Sequence, residues 1–208
     1  MNNSYLDGIY GIFTIDSMDQ REVLGYRIAF LIIGVSFAGL LLQWETYGGA
    51  GAWPWIFPLI TSLGLALRWI HIYLRFLHRA LQLLWLIGTV SVFVLALRNG
   101  FRELLPLFVH EPFSIWAVAP FFASLIGVGI KEFFCFHRLE AIGVVLFLPA
   151  ALLGHLSGYL AETMSFTLLI SSSFLLLILA IQKFSVKSSA DIGDKSIFNY
   201  LEAQRRGI

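Results

Sequence analysis

Apolar residues in this chain run on rather than alternate. Long stretches of Leu, Ile, Val, Phe and Ala are broken only by short polar or glycine-rich pieces. Six stretches are long enough to cross a bilayer as helices: Glu22–Gln43, Pro54–Leu74, Ala80–Leu97, Pro112–Ile130, Arg138–Ser157 and Thr163–Gln182. Each is close to the roughly 20 residues a helix needs at about 1.5 Å per residue. Continuous runs predict helices, because strands of a membrane barrel would alternate. The expected fold is therefore an all-α membrane protein, a bundle of six transmembrane helices. Pro120 and Pro149 fall inside spans and remove one backbone donor each. Short loops make successive spans antiparallel neighbours. The longer 98–113 connection carries Leu104, Leu105, Leu107, Phe108 and Phe113, which predicts that it rests on the membrane surface.

Polar segments flank the spans. Residues 1–20 read as an N-terminal arm, 21–183 as the six-helix domain and 184–208 as a polar tail. Ile9 to Ile15 suits an extended segment. Asp16 or Ser17 can cap the first helix, and Ser17-x-x-Gln20 fits a capping box. Asp194 can cap a short amphipathic helix over 195–206. The first 20 residues hold Asp7, Asp16 and Asp19 but no Lys or Arg. They lack the basic n-region of a secretory signal and the Arg-rich character of a transit peptide, so the expected mature N-terminus is the one present.

Composition sharpens this picture. Of 208 residues 58% are hydrophobic and 13% charged, against about 25% charged in a soluble domain. The net charge of +1 gives no general attraction to nucleic acid. Cys135 is the only cysteine, which excludes an internal disulfide and a Cys-type zinc site. Basic residues are unevenly placed: twelve, including Arg68, fall on one side of the predicted topology, and only Arg98 and Arg102 on the other. The positive-inside rule then puts both termini in the cytoplasm or an equivalent compartment. Trp44, Trp53 and Trp55 form an aromatic belt at the opposite interface.

Two regions can carry chemistry. Span two ends in Arg68-x-x-His71-x-x-x-Arg75-x-x-His78-Arg79. If helical throughout, these side chains fall within an arc of about 100°. An arginine at mid-span costs roughly 2.5–3.5 kcal/mol on insertion scales, which favours an internal partner. Lys131, Glu132, Arg138 and Glu140 lie on the same side, between spans four and five. Arg68, His71, Arg75, Lys131, Glu132, Arg138 and Glu140 thus form an expected cluster. It is either a set of structural ion pairs or a site for an anionic headgroup such as a lipid or prenyl phosphate. His71 and His155 are candidate pigment ligands, His155 because Gly154 and Gly158 would admit a flat ring. Ser171, Ser172 and Ser173 suit hydroxyls bonded to their own helix. No metal centre is expected. The chain contains no Walker A, GxGxxG, HExxH, Gly-x-Ser-x-Gly or CxxC motif, so the sequence points to no catalytic residue and favours a non-enzymatic role.

Three segments together resemble a known family: Phe13-Thr14-Ile15 followed by Asp19-Gln20-Arg21-Glu22-Val23 and Tyr26-Arg27; Lys131-Glu132-x-x-Cys135-Phe136-x-x-Leu139-Glu140; and Gly154-His155. The chain is similar over residues 10–182 to an uncharacterised integral-membrane family of cyanobacteria and plastids. That resemblance implies no catalytic residue. It implies a thylakoid membrane, photosystem subunits as partners, chlorophyll or carotenoid as possible cofactors, and a role as auxiliary subunit or assembly factor. The alternative is a small transporter or a lipid- or prenyl-phosphate-handling protein acting through the Arg/His/Glu cluster.

Overall fold

The computed structural model describes residues 4–72 and 74–197. Two strands, β1 (Ser4–Gly8) and β2 (Gly11–Ile15), open the chain as an antiparallel hairpin. Helix α1 (Ser17–Tyr47) follows at once. Its N-cap is Asp16, whose carboxylate accepts the Asp19 N–H at 2.8 Å while Asp19 accepts the Asp16 N–H at 3.0 Å. The capping box is thus Asp16-x-x-Asp19, one residue earlier than the serine-based reading. A carboxylate answers the helix N-terminus both by hydrogen bonding and by charge.

The remaining elements are α2 (Gly49–Ala52), α3 (Ile56–Trp69), α4 (Arg75–Asn99), α5 (Leu104–His110), α6 (Ile115–Phe136), α7 (Leu139–Leu156), α8 (Glu162–Gln182) and α9 (Ser188–Ile192). Six helical segments are long and apolar enough to span a membrane: Ser17–Tyr47, Gly49–Trp69, Arg75–Asn99, Pro112–Phe136, Leu139–Leu156 and Glu162–Ser185. The protein is an all-α membrane bundle. Helix α1 packs on α3 and α8, α8 on α7, α7 on α6 and α6 on α4, and a lighter α3–α4 contact closes the ring. Its core runs from Tyr26 through Phe30, Ile33, Leu63, Leu125, Leu148 and Leu179, all essentially without solvent exposure.

Besides shifts of a few residues at span ends, two features differ from the hydropathy reading. The second span was expected to reach Leu74, but α3 stops at Trp69 and Ile70 is extended, with φ −67° and ψ 129°. No Gly or Pro marks the break. What ends the helix is tertiary. His78 Nε2 lies 2.6 Å from the Leu67 carbonyl, and Gln82 Nε2 reaches the same oxygen at 3.4 Å. Side chains of α4 thereby satisfy a carbonyl that the end of α3 leaves open. The stripe of Arg68, His71, Arg75, His78 and Arg79 is consequently divided between α3, the 70–74 connection and α4, and does not form one helical face. The second difference is α5. Leu104 and Leu105 are buried, not laid on the surface, and α5 packs on α2.

The arm and the tail share a second, small core. Ile15, Val23 and Ile192 are buried together, with Leu6 and Phe13 packed on them. Most of the helix expected over 195–206 lies outside the described residues.

Candidate functional sites at the two ends of the bundle

Glu132, on the last turns of α6, has no solvent exposure. Its Oε1 accepts the Tyr26 hydroxyl at 2.6 Å and Lys131 Nζ at 3.1 Å, and its Oε2 pairs with Lys183 Nζ at 2.8 Å. Lys183, in the 3₁₀ turn after α8, also pairs with Asp191 of α9. Asp191 Oδ2 is held by Arg27 Nε at 2.8 Å and Nη2 at 2.5 Å. Lys183 Nζ lies 3.7 Å from the centroid of Phe136, a cation–π contact. Two carboxylates therefore face three cations in a buried site. Such a network does little for stability relative to an apolar core, but removing one member strands a charge, at a cost of about 3–5 kcal/mol.

The expected cluster is rearranged accordingly. Lys131 and Glu132 meet, but their partners are Tyr26, Arg27, Lys183 and Asp191. Arg68 and Arg75 are exposed, Arg138 is half-buried, and none of the three forms an ion pair among the described residues. Glu140 instead accepts Gln182 Nε2 at 2.8 Å. Sequence reasoning passed over Lys183 and Asp191. Their signal was a lysine closing the last apolar run, with an aspartate eight residues on.

Beside this network the arm and tail are laced together. Lys195 Nζ reaches both oxygens of Asp19, at 2.5 and 2.6 Å. Asp194 accepts the Ile9 N–H at 2.7 Å and the Ser196 hydroxyl at 2.6 Å. These bonds, the Ser196 hydroxyl first, hold the Asp194 carboxyl below its usual value of 3.8. His71, in the 70–74 connection, stands 3.6 Å from Glu22. Burial lowers its pKa, against the opposing pull of Glu22 and Asp19. Asp19, Glu22 and His71 place one ligand atom each within 4.8 Å of one another. That donor set suits a divalent cation, but Lys195 already neutralises Asp19.

At the other end lies a cavity of about 260 Å³. The end of α1 (Phe37 to Glu45), the start of α3, α5, the start of α6, the end of α7 and the start of α8 enclose it. Along α1 it begins eleven residues beyond Tyr26, or about 16 Å at 1.5 Å per residue. Its walls are overwhelmingly apolar; side chains with polar atoms are Trp44, Glu45, His155, Glu162, Thr163 and Ser165 among the described residues. His155 Nε2 is 3.0 Å from the Phe108 carbonyl. That oxygen can only accept, so Nε2 carries a proton, and in the neutral ring Nδ1 is then the acceptor. Ser165 is 5% exposed, and its Oγ has no partner among the described residues. By contrast Ser171, Ser172 and Ser173 bond back to the carbonyls of Thr167, Leu169 and Ile170.

The ring of six helices, the charge network and the apolar cavity define a polytopic α-helical membrane protein. The chain belongs to the family described as uncharacterized integral membrane protein (DUF2301), whose model matches residues 65–200, from the last turns of α3 into the tail. Neither a curated protein nor a solved structure matches the chain significantly.

Proposed function

We propose that this protein is a non-enzymatic binding protein of the bilayer, which takes an apolar, lipid-derived molecule into the cavity between α1, α6, α7 and α8. The observation that carries this reading is the cavity itself. Residues of all six spans line it, Val92 being the one from α4, its walls are apolar, and a few polar groups sit at one end. That is the usual build of a small-molecule site in a helix bundle. The charge network at the opposite end is ion-paired within itself, which supports a structural role there in place of the anionic-headgroup site. Lipid extraction from protein purified in nanodiscs, followed by mass spectrometry, tests the proposal. Stoichiometric retention of one apolar class is expected. Leu152→Trp, which fills the cavity from α7, should lower that retention at least tenfold with the helical circular dichroism unchanged. Lipid recovered only in bulk proportion from both proteins would overturn it.

A second reading is an auxiliary subunit or assembly factor of a photosynthetic complex in a thylakoid membrane. It is supported by the resemblance of the 13–27, 131–140 and 154–155 segments. His155 Nδ1 keeps a lone pair that could ligate a chlorophyll magnesium. The cavity, however, is about 260 Å³, at the lower edge of the small-molecule range and far too small for the whole of a chlorophyll or carotenoid, which would have to lie against the outside of the bundle. Gentle-detergent purification from native membranes tests this. Chlorophyll bands with comigrating photosystem chains support it; a colourless protein disposes of it.

A further inference from the structure

We infer that the cavity selects an uncharged amphiphile, an apolar chain or ring carrying a hydroxyl or carbonyl head, and refuses anionic heads; this rests on the binding role proposed above. Three observations converge. First, Ser165 is one of the residues lining the cavity and is nine-tenths buried, and its Oγ, just beneath the cavity wall, lacks a partner among the described residues. An orphaned buried hydroxyl costs about 1–3 kcal/mol, which a guest oxygen would recover. Second, His155 lines the same end, and because its Nε2–H is used on the Phe108 carbonyl, the neutral ring offers Nδ1 as an acceptor. A guest hydroxyl both donates and accepts, so it suits a donor–acceptor pair that a hydrocarbon leaves unused. Third, the ionisable side chains at the rim are Glu45 and Glu162, both exposed. They set negative charge where the head of a carboxylate or phosphate would have to sit. Arg98 and Arg102 are not among the residues lining the cavity.

The groups act at different steps. The apolar walls take the body of the guest without regard to its head. Ser165 and His155 then distinguish an alcohol or ketone from a bare hydrocarbon. The glutamates distinguish it from an acid of the same length.

The test is displacement of a fluorescent long-chain alcohol from the protein in zwitterionic nanodiscs at pH 8, by hexadecanol, hexadecanoate and hexadecane. Hexadecanol should compete at least tenfold better than hexadecanoate. Ser165→Ala should weaken hexadecanol about fivefold and leave hexadecane unchanged. Glu45→Gln with Glu162→Gln should raise hexadecanoate towards the alcohol. Equal competition by alcohol and carboxylate, or a Ser165→Ala protein indistinguishable from the parent, would overturn the selectivity while leaving apolar binding intact. Failure of all three compounds to displace the probe, or of the probe to bind at all, removes the binding role and the selectivity with it.

Discussion

Glu132 shows how much one buried charge commits its surroundings. Its carboxylate is met by a hydroxyl and two ammonium groups from three different elements. Glu132→Gln keeps the shape but leaves Lys183 short of countercharge. It is expected to destabilise the protein by about 3–5 kcal/mol, read as a fall in the thermal midpoint followed by tryptophan emission. Glu132→Gln combined with Lys183→Met should lose less than the single change, because the second substitution removes the stranded cation. At the exposed margin, Asp194 behaves differently. Its folded carboxyl titrates below the usual 3.8. Its contribution is therefore complete above that value and disappears as pH falls through the lowered one. Amide exchange at Ile9, corrected for intrinsic rate, should be unchanged from pH 8 to 5 and accelerate below pH 4. Asp194→Ala should raise exchange at neutral pH and flatten that dependence.

Between helices the decisive contacts are made by residues whose importance composition does not announce. Gly88 of α4 lies against the backbone of Phe121 in α6, so a Cβ at Gly88 would collide with main-chain atoms that cannot step aside. Gly→Ala inside an unencumbered helix gains about 1 kcal/mol. Here overpacking, at about 1–3 kcal/mol, outweighs that gain, and Gly88→Ala is expected to lower the thermal midpoint. Gly51→Ala meets only the Gln43 amide nitrogen at 3.6 Å and should leave the midpoint unchanged or raise it. The same distinction explains what the sequence made legible. Span existence follows from length and apolarity alone, so the six spans could be read directly. The end of α3 could not, because the residues that stop it, His78 and Gln82, act from the next helix. Glu132 stands out as a charge within an apolar run. Its choice of Lys183 over Arg68 depends on how helices are rotated about their axes, which periodicity along a single helix does not contain. The cavity is assembled from the ends of many elements and has no linear signature at all.

For the molecule as a whole, the described parts of the two terminal segments meet at one end, where the Ile9 N–H donates to Asp194 and Lys195 pairs with Asp19. An even number of spans requires this. It also makes the charge-network end the end of both termini, and the cavity end the opposite one. Which compartment each faces follows from charge. Among the described residues, the network end carries Arg21, Arg27, Arg75, Arg79, Lys131, Arg138, Lys183, Lys187 and Lys195, with Arg68 close by, against Arg98 and Arg102 at the cavity end. The positive-inside bias predicts a network on the cytoplasmic side and a cavity mouth on the far side. Cys135 gives a direct reading, since it is the only cysteine and is exposed on the last turn of α6, at the network end. A membrane-impermeant maleimide should label it in inverted vesicles and fail to label it in sealed right-side-out vesicles, and Cys135→Ser should abolish the signal in both. The reverse pattern would place the cavity mouth on the cytoplasmic side, and a guest would then have to be drawn from the inner leaflet in place of the outer one.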